Sequence, residues 1–162
     1  MGYYEAMRYF WWMRYKKPYQ NIRHTMREFG RQVAASIPYA EQWMPIGLTP
    51  RQMFHILKQN TVYKNDPPGV ELLQSMPSLM EDNYWGIPGA GDCDCFTIAA
   101  VACAVANDIP VRIVIVGNHS DGPSHVYCEM KDNGRWVPFD LVNAFYGETK
   151  AYGHKKIISV KP

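Results

Sequence analysis

Apolar residues recur at helical spacing over residues 21–36, where Ile22, Met26, Phe29 and Val33 would form one face and His24, Arg27 and Arg31 lie elsewhere around it. Pro38 is expected to end that helix, because proline lacks an amide hydrogen and clashes with the preceding turn. A second helix is predicted to start at Thr49 as N-cap, with Pro50 in the first helical position and Met53, Phe54, Ile56 and Leu57 as its apolar residues. Asp66-Pro67-Pro68-Gly69 then breaks the chain. Residues 70–80 have room for a short helical piece limited by Pro77, and 85–91 reads as a loop rich in glycine and proline.

From 93 to 106 nearly every residue is small or apolar, the pattern of a helix buried on most sides. Strands are predicted at 111–116, 125–130, 136–140 and 156–160, the middle two joined through the hairpin turn Asp132-Asn133-Gly134. Helices first and strands afterwards indicate an α+β fold with an antiparallel sheet. Residues 1–20 stand apart from 21–162, since Tyr9, Phe10, Trp11, Trp12 and Tyr15 alternate there with Arg8, Arg14, Lys16 and Lys17. This arm is expected to be a short helix packing its aromatic side on its own domain. Alternatively it docks on a membrane surface, a partner or a single-stranded nucleic acid, all of which suit rings beside cations.

A length of 162 residues fits one domain with a core of its own. A formal charge of +2 is too small an excess to imply a nucleic-acid partner for the whole chain. The four cysteines, Cys93, Cys95, Cys103 and Cys128, have no regular framework of spacings and no apolar leader before them, which points to reduced thiols in a cytoplasmic or virion-associated protein. No apolar run reaches the roughly 20 residues needed to span a bilayer.

Cys93 is the candidate nucleophile. At the start of a helix, unpaired N–H groups and the helix dipole favour a thiolate, and its own N–H could help hold an oxyanion. Gly89-Ala90-Gly91 before it would permit a tight turn and close approach of a substrate backbone. The base and its orienting group are expected at His125 and Asp140: antiparallel pairing around Asn133-Gly134 sets the start of one strand beside the end of the other. Cys95 is the rival nucleophile. A zinc site from Cys93, Cys95, His125 and Cys128 is disfavoured, because residues two apart on a helix and three apart on a strand point away from each other. Cys95, Cys103 and Cys128 are expected to be buried as small hydrophobes.

These motifs resemble the transglutaminase-like, papain-like cysteine peptidase superfamily, in particular its compact bacterial and phage members. Gly91-Asp92-Cys93-Asp94 with the apolar helix, and Asp108-Ile109-Pro110-Val111-Arg112 leading into a strand, are similar to its cysteine motif and first core strand. Ser124-His125-Val126-Tyr127-Cys128-Glu129 and Gly134-Arg135-Trp136-Val137-Pro138-Phe139-Asp140 are similar to its histidine and aspartate strands. The resemblance covers about residues 61–142. It departs at Cys95, where an acidic residue is frequent, and at Asp108, where the family has glycine. It implies a papain-like core with the cysteine helix packed on the sheet, preceded here by a helical N-terminal extension. It also implies a triad of Cys93, His125 and Asp140, a peptide or protein substrate, and neither metal nor cofactor. Trp85 and Gln74 are candidates for a further oxyanion donor. The expected activity is a peptidase or amidase working through a thioester; the alternatives are a protein-glutamine transglutaminase and a non-catalytic docking component that retains the fold.

Overall fold

The computed structural model describes residues 10–14, 22–118 and 122–161. Strand β1 (Phe10–Arg14) pairs antiparallel with β3 (Val70–Gln74), setting Met13 opposite Glu71. Part of the aromatic arm expected to be helical is therefore a strand, whose backbone hydrogen-bonds within the domain. The rest of the arm lies outside the described residues. The short helical piece expected within 70–80 is Met76–Leu79 (α3), with Pro77 in its first turn, while 70–74 is taken by the strand pairing. A weak local preference gives way once a partner strand is present.

Helix α1 (Ile22–Trp43) runs through Pro38, so the expected end at that residue is wrong. Pro38 is solvent-exposed, whereas Phe29, Val33, Ala40 and Met44 are buried. Burial of Ala40 and Met44 beyond the proline offsets one missing backbone bond on the wet side. Ser36 on the buried face donates to the Gln32 carbonyl at 2.6 Å and accepts from the Met76 N–H at 2.8 Å, tying α1 to α3. Helix α2 (Pro50–Gln59) begins as its sequence requires: Thr49 accepts from the Gln52 N–H, and the Gln52 side chain accepts from the Thr49 N–H at 2.9 Å.

Short strands β2 (Thr61–Tyr63) and β4 (Gly89–Gly91) pair in parallel, with Tyr63 opposite Gly91. The glycines of this segment answer a packing need, not a turn. A Cβ on Gly91 would lie 2.8 Å from the Cys95 Cβ, and one on Gly89 would meet the Leu79 backbone. Helix α4 (Cys93–Ala106) is buried from Cys95 to Ala104, as its apolar composition dictates. It lies in a core shared with α1, α2 and α3 and with the face of the main sheet that carries Ile113, Cys128 and Met130.

That sheet has the order β7-β6-β5-β8, antiparallel throughout: β5 (Val111–Asn118), β6 (Gly122–Asp132), β7 (Arg135–Phe139) and β8 (His154–Ser159). The β6–β7 turn has positive φ at Asn133 (48°) and Gly134 (76°), the backbone of a two-residue hairpin that matches strand twist. Across β5, β6 and β8, buried Glu129 accepts from Arg112 at 2.6 Å and from Lys155 at 2.9 Å. No helix among the described residues is long and apolar enough to cross a membrane.

Candidate active site

The hairpin sets the histidine beside the aspartate. Paired positions on β6 and β7 run from Asp132–Arg135 to Cys128–Phe139. One further step would place Tyr127 opposite Asp140, and His125, two residues along, shares a face with Tyr127. His125 Nε2 lies 2.7 Å from Asp140 Oδ2, with both side chains largely buried. Asp140 also accepts from the Val142 N–H at 3.1 Å and from the Asn143 amide at 3.2 Å. Asn143 is held in turn by donating to the Glu148 carbonyl at 3.0 Å. Tyr127 and Tyr152 stack on the imidazole with ring centroids at 5.9 and 6.1 Å. With Nε2 committed to Asp140, Nδ1 is the ring nitrogen left to exchange a proton with a substrate or a nucleophile.

β6 extends beyond its last pair with β7, and the first turn of α4 lies along the stretch so left. There the Val126 N–H reaches the Cys93 sulphur, and the Val126 carbonyl accepts from the Thr97 hydroxyl at 3.2 Å. Thr97 donates as well to the Cys93 carbonyl at 2.6 Å. Cys93 is half-buried and shares a cavity of about 540 Å³ with His125.

The electrostatics differ from the expectation of a thiol lowered by its helix terminus. Burial pushes the Cys93 thiol up to about 12, assisted by the carboxylates of Asp92, Glu71 and Asp140 and opposed by the Val126 N–H. The helix N-terminus does not prevail because burial penalises the charged sulphur and the cap residue, Asp92, brings negative charge to the place where the thiolate would form. A base within the site is therefore needed to ionise the sulphur.

Cys95, the rival nucleophile, is fully buried; its thiol donates to the Leu72 carbonyl at 3.4 Å. Cys103 and Cys128 are likewise buried and unbridged. The expected oxyanion donors do not line the cavity that holds Cys93. Trp85 stands 75% exposed on a short 3₁₀ turn, and the Gln74 amide donates to the Ala90 carbonyl at 3.0 Å. Tyr63 is in that cavity instead, placed there by the pairing of β2 with β4, and burial together with nearby Cys93 raises its hydroxyl to about 12, so that it remains an O–H donor. Among the described residues, the one trio of metal-type ligand atoms close together is Asp92, Asp94 and Cys95, a set different from the zinc set weighed above.

Sequence reasoning missed Tyr63, Asn143, Tyr152 and the carboxylates of Asp66 and Glu71. For Asn143 a signal existed, since Asp140-Leu141-Val142-Asn143 after a strand is a turn in which an Asx side chain can bond locally. The others come from distant segments and carry no local mark.

The family described as the transglutaminase-like superfamily matches residues 52–141. Among solved structures, a candidate cysteine protease from Cytophaga hutchinsonii is similar over 84% of this chain and 52% of that one, at 14% identity and a TM-score of 0.41. The chain thus spans about half the length of that protein. No curated protein matches the sequence.

Proposed function

We propose that this chain, which belongs to the transglutaminase-like superfamily, is a cysteine-dependent acyl-transfer enzyme that hydrolyses a peptide or side-chain amide through a thioester on Cys93. One observation carries the reading: His125 is held by Asp140 at 2.7 Å through Nε2, and Cys93 opens on the same cavity as the imidazole. His125 Nδ1 takes the Cys93 proton, and the sulphur attacks the acyl carbon. The C–N bond then breaks as the imidazolium returns that proton to the leaving amine. Water, deprotonated by the same nitrogen, cleaves the thioester and restores the thiol. Asp140 keeps the imidazole oriented and stabilises its charged form. The Cys93 N–H and the Tyr63 hydroxyl are the donors assigned to the oxyanion.

The direct test is to trap the acyl-enzyme. On brief exposure to p-nitrophenyl acetate, intact mass should rise by one acetyl group, located on Cys93 and removed by neutral hydroxylamine. Cys93→Ser and His125→Ala should abolish the adduct. Equal acetylation of wild type and His125→Ala would leave the fold as a docking component without this chemistry.

A further inference from the structure

The hydrogen bond from His125 to Asp140 leaves the imidazole one freedom. A bond at Nε2 fixes a single direction of the ring, and the last torsion of a histidine side chain has broad minima, so the plane can still swing about the line to Asp140. Nδ1 meets the Cys93 sulphur or a leaving amine only when that plane is held. Two flat neighbours are present to hold it. The rings of Tyr127 and Tyr152 lie at 24° and 26° to the imidazole, close to parallel, with centroids 5.9 and 6.1 Å away, within the range of offset stacking.

The two rings differ in origin. Tyr127 belongs to the strand of His125 and is buried in a small cluster with Val114 and Val116, its neighbours on β5. Tyr152 comes from the connection between β7 and β8 and packs against that cluster as its partly exposed member. The connection is anchored along its length. The Lys58 ammonium donates to the Leu141 carbonyl at 2.6 Å, the Tyr146 hydroxyl to Asp132 at 2.7 Å, and the Gly147 N–H to the Pro138 carbonyl at 3.1 Å. The same segment carries Asn143, which donates to Asp140. It therefore holds the aspartate through Asn143 and the histidine through Tyr152. Burial, followed by the charge of Asp140, raises the Tyr152 phenol, so the ring beside the imidazole stays neutral.

We propose that Tyr152 is a positioning residue for the base: its ring face fixes the plane of the His125 imidazole and keeps water from the hydrogen bond between Nε2 and Asp140. This rests on the reading of His125 as the base that serves Cys93. The His125 and Asp140 side chains are 15% and 5% exposed, and loss of the Tyr152 ring would open the histidine to solvent.

The test uses the full chain and two variants: Tyr152→Phe keeps the ring, and Tyr152→Leu keeps apolar bulk without a flat face. With isotope-labelled histidine, the Nε2–H resonance of His125 is assigned by its loss in His125→Ala. Its exchange with water is measured beside the rate of Cys93 acylation by p-nitrophenyl acetate. Tyr152→Phe should match wild type in both within about twofold, whereas in Tyr152→Leu exchange should quicken and acylation slow, each by about tenfold or more. Tyr152→Leu behaving as wild type would overturn the proposal. So would a wild-type resonance already lost to rapid exchange, because no shielding would then exist. Tyr152→Phe decides even if Tyr152→Leu fails to fold: a tenfold loss there would give the role to the hydroxyl and overturn the ring. Acylation unaffected by His125→Ala would sink the acyl-transfer reading and the proposal with it. Acylation that needs His125 but ignores Tyr152→Leu would sink the proposal alone.

Discussion

The Thr97 hydroxyl on the cysteine helix lies 3.2 Å from the carbonyl of Val126, the residue that follows His125 on its strand. The same hydroxyl sits 2.6 Å from the Cys93 carbonyl, so one buried side chain sets the height of the nucleophile's helix against the strand of the base. Thr97→Val keeps the shape and deletes the tether. Stability should fall by about 1–2 kcal/mol, the cost of leaving a buried carbonyl with a missing partner. Acylation of Cys93 should slow by about tenfold or more, because small displacements between reacting groups are costly. Urea denaturation and acylation rates measured on one preparation check both.

Asp140 holds the imidazole through Oδ2 and is itself held by Val142 and Asn143. Asp140→Asn preserves the size of the side chain but presents an amide where a carboxylate accepted, favouring the wrong tautomer and failing to stabilise the imidazolium. The rate of acyl transfer should drop by about 10²–10⁴. Asn143→Ala should produce a smaller loss of the same kind, since the Val142 N–H remains on the carboxylate. Circular dichroism of both variants should stay native, which distinguishes lost positioning from unfolding.

Tyr63 lines the cavity that holds Cys93, whereas Trp85 and Gln74 do not. Tyr63→Phe removes only the hydroxyl from a ring whose edge contact with Phe96, centroids 6.2 Å apart, is retained. Acylation should slow by about 10–10³, within the range for loss of one oxyanion donor. Alkylation of Cys93 by iodoacetamide, which passes through no oxyanion, should hardly change. A parallel loss in both reactions would mean that Tyr63 acts on the thiol rather than on the carbonyl.

Asp66 is raised to about 7 by burial and by Asp92, against the Leu72 N–H, with Glu71 adding to the shift. An unfolded aspartate titrates near 4. Between these values the folded protein holds a proton that the unfolded chain has released. The stability this group contributes is therefore full below about 4 and is lost as pH rises through about 7. Asp66→Asn should thus gain stability relative to wild type as pH goes from 5 to 8. The gain should be on the order of 1 kcal/mol, less than the full linkage because the carboxyl is partly solvated. Denaturation midpoints at the two pH values give the answer; a difference that is flat with pH would contradict it.

The sequence made the centre of the site legible and left its surroundings obscure, for physical reasons. Local rules of the chain govern a buried helix of small residues, a hairpin with Asn133-Gly134, and the parity that puts His125 and Asp140 together, so each could be read in advance. Thr49 and Pro50 mark the start of α2 in the same local way. Pro38 misled because the end of α1 is decided by what Ala40 and Met44 bury, which composition does not reveal. The 70–74 strand and the strand at 10–14 exist through each other, 56 or more residues apart. The acidic cavity is likewise a tertiary product: Asp66 and Glu71 sit more than twenty residues before Asp92 and meet it only through folding. Burial of Cys93, joined by the charges of Asp92 and Glu71, reversed the simplest expectation drawn from its helix terminus.

The central claim is that Cys93 and His125 work as one unit. It is tested most directly by alkylating wild type and His125→Ala with iodoacetamide from pH 5 to 10 and mapping the modified cysteine. The account predicts labelling at Cys93, not at buried Cys95, Cys103 or Cys128, with a rate near neutral pH that falls at least about tenfold when His125 is removed. In that variant the remaining reaction should move to strongly alkaline pH, as befits a thiol pushed up to about 12. Identical rates and pH profiles in the two proteins, or preferential labelling of Cys95, would contradict it.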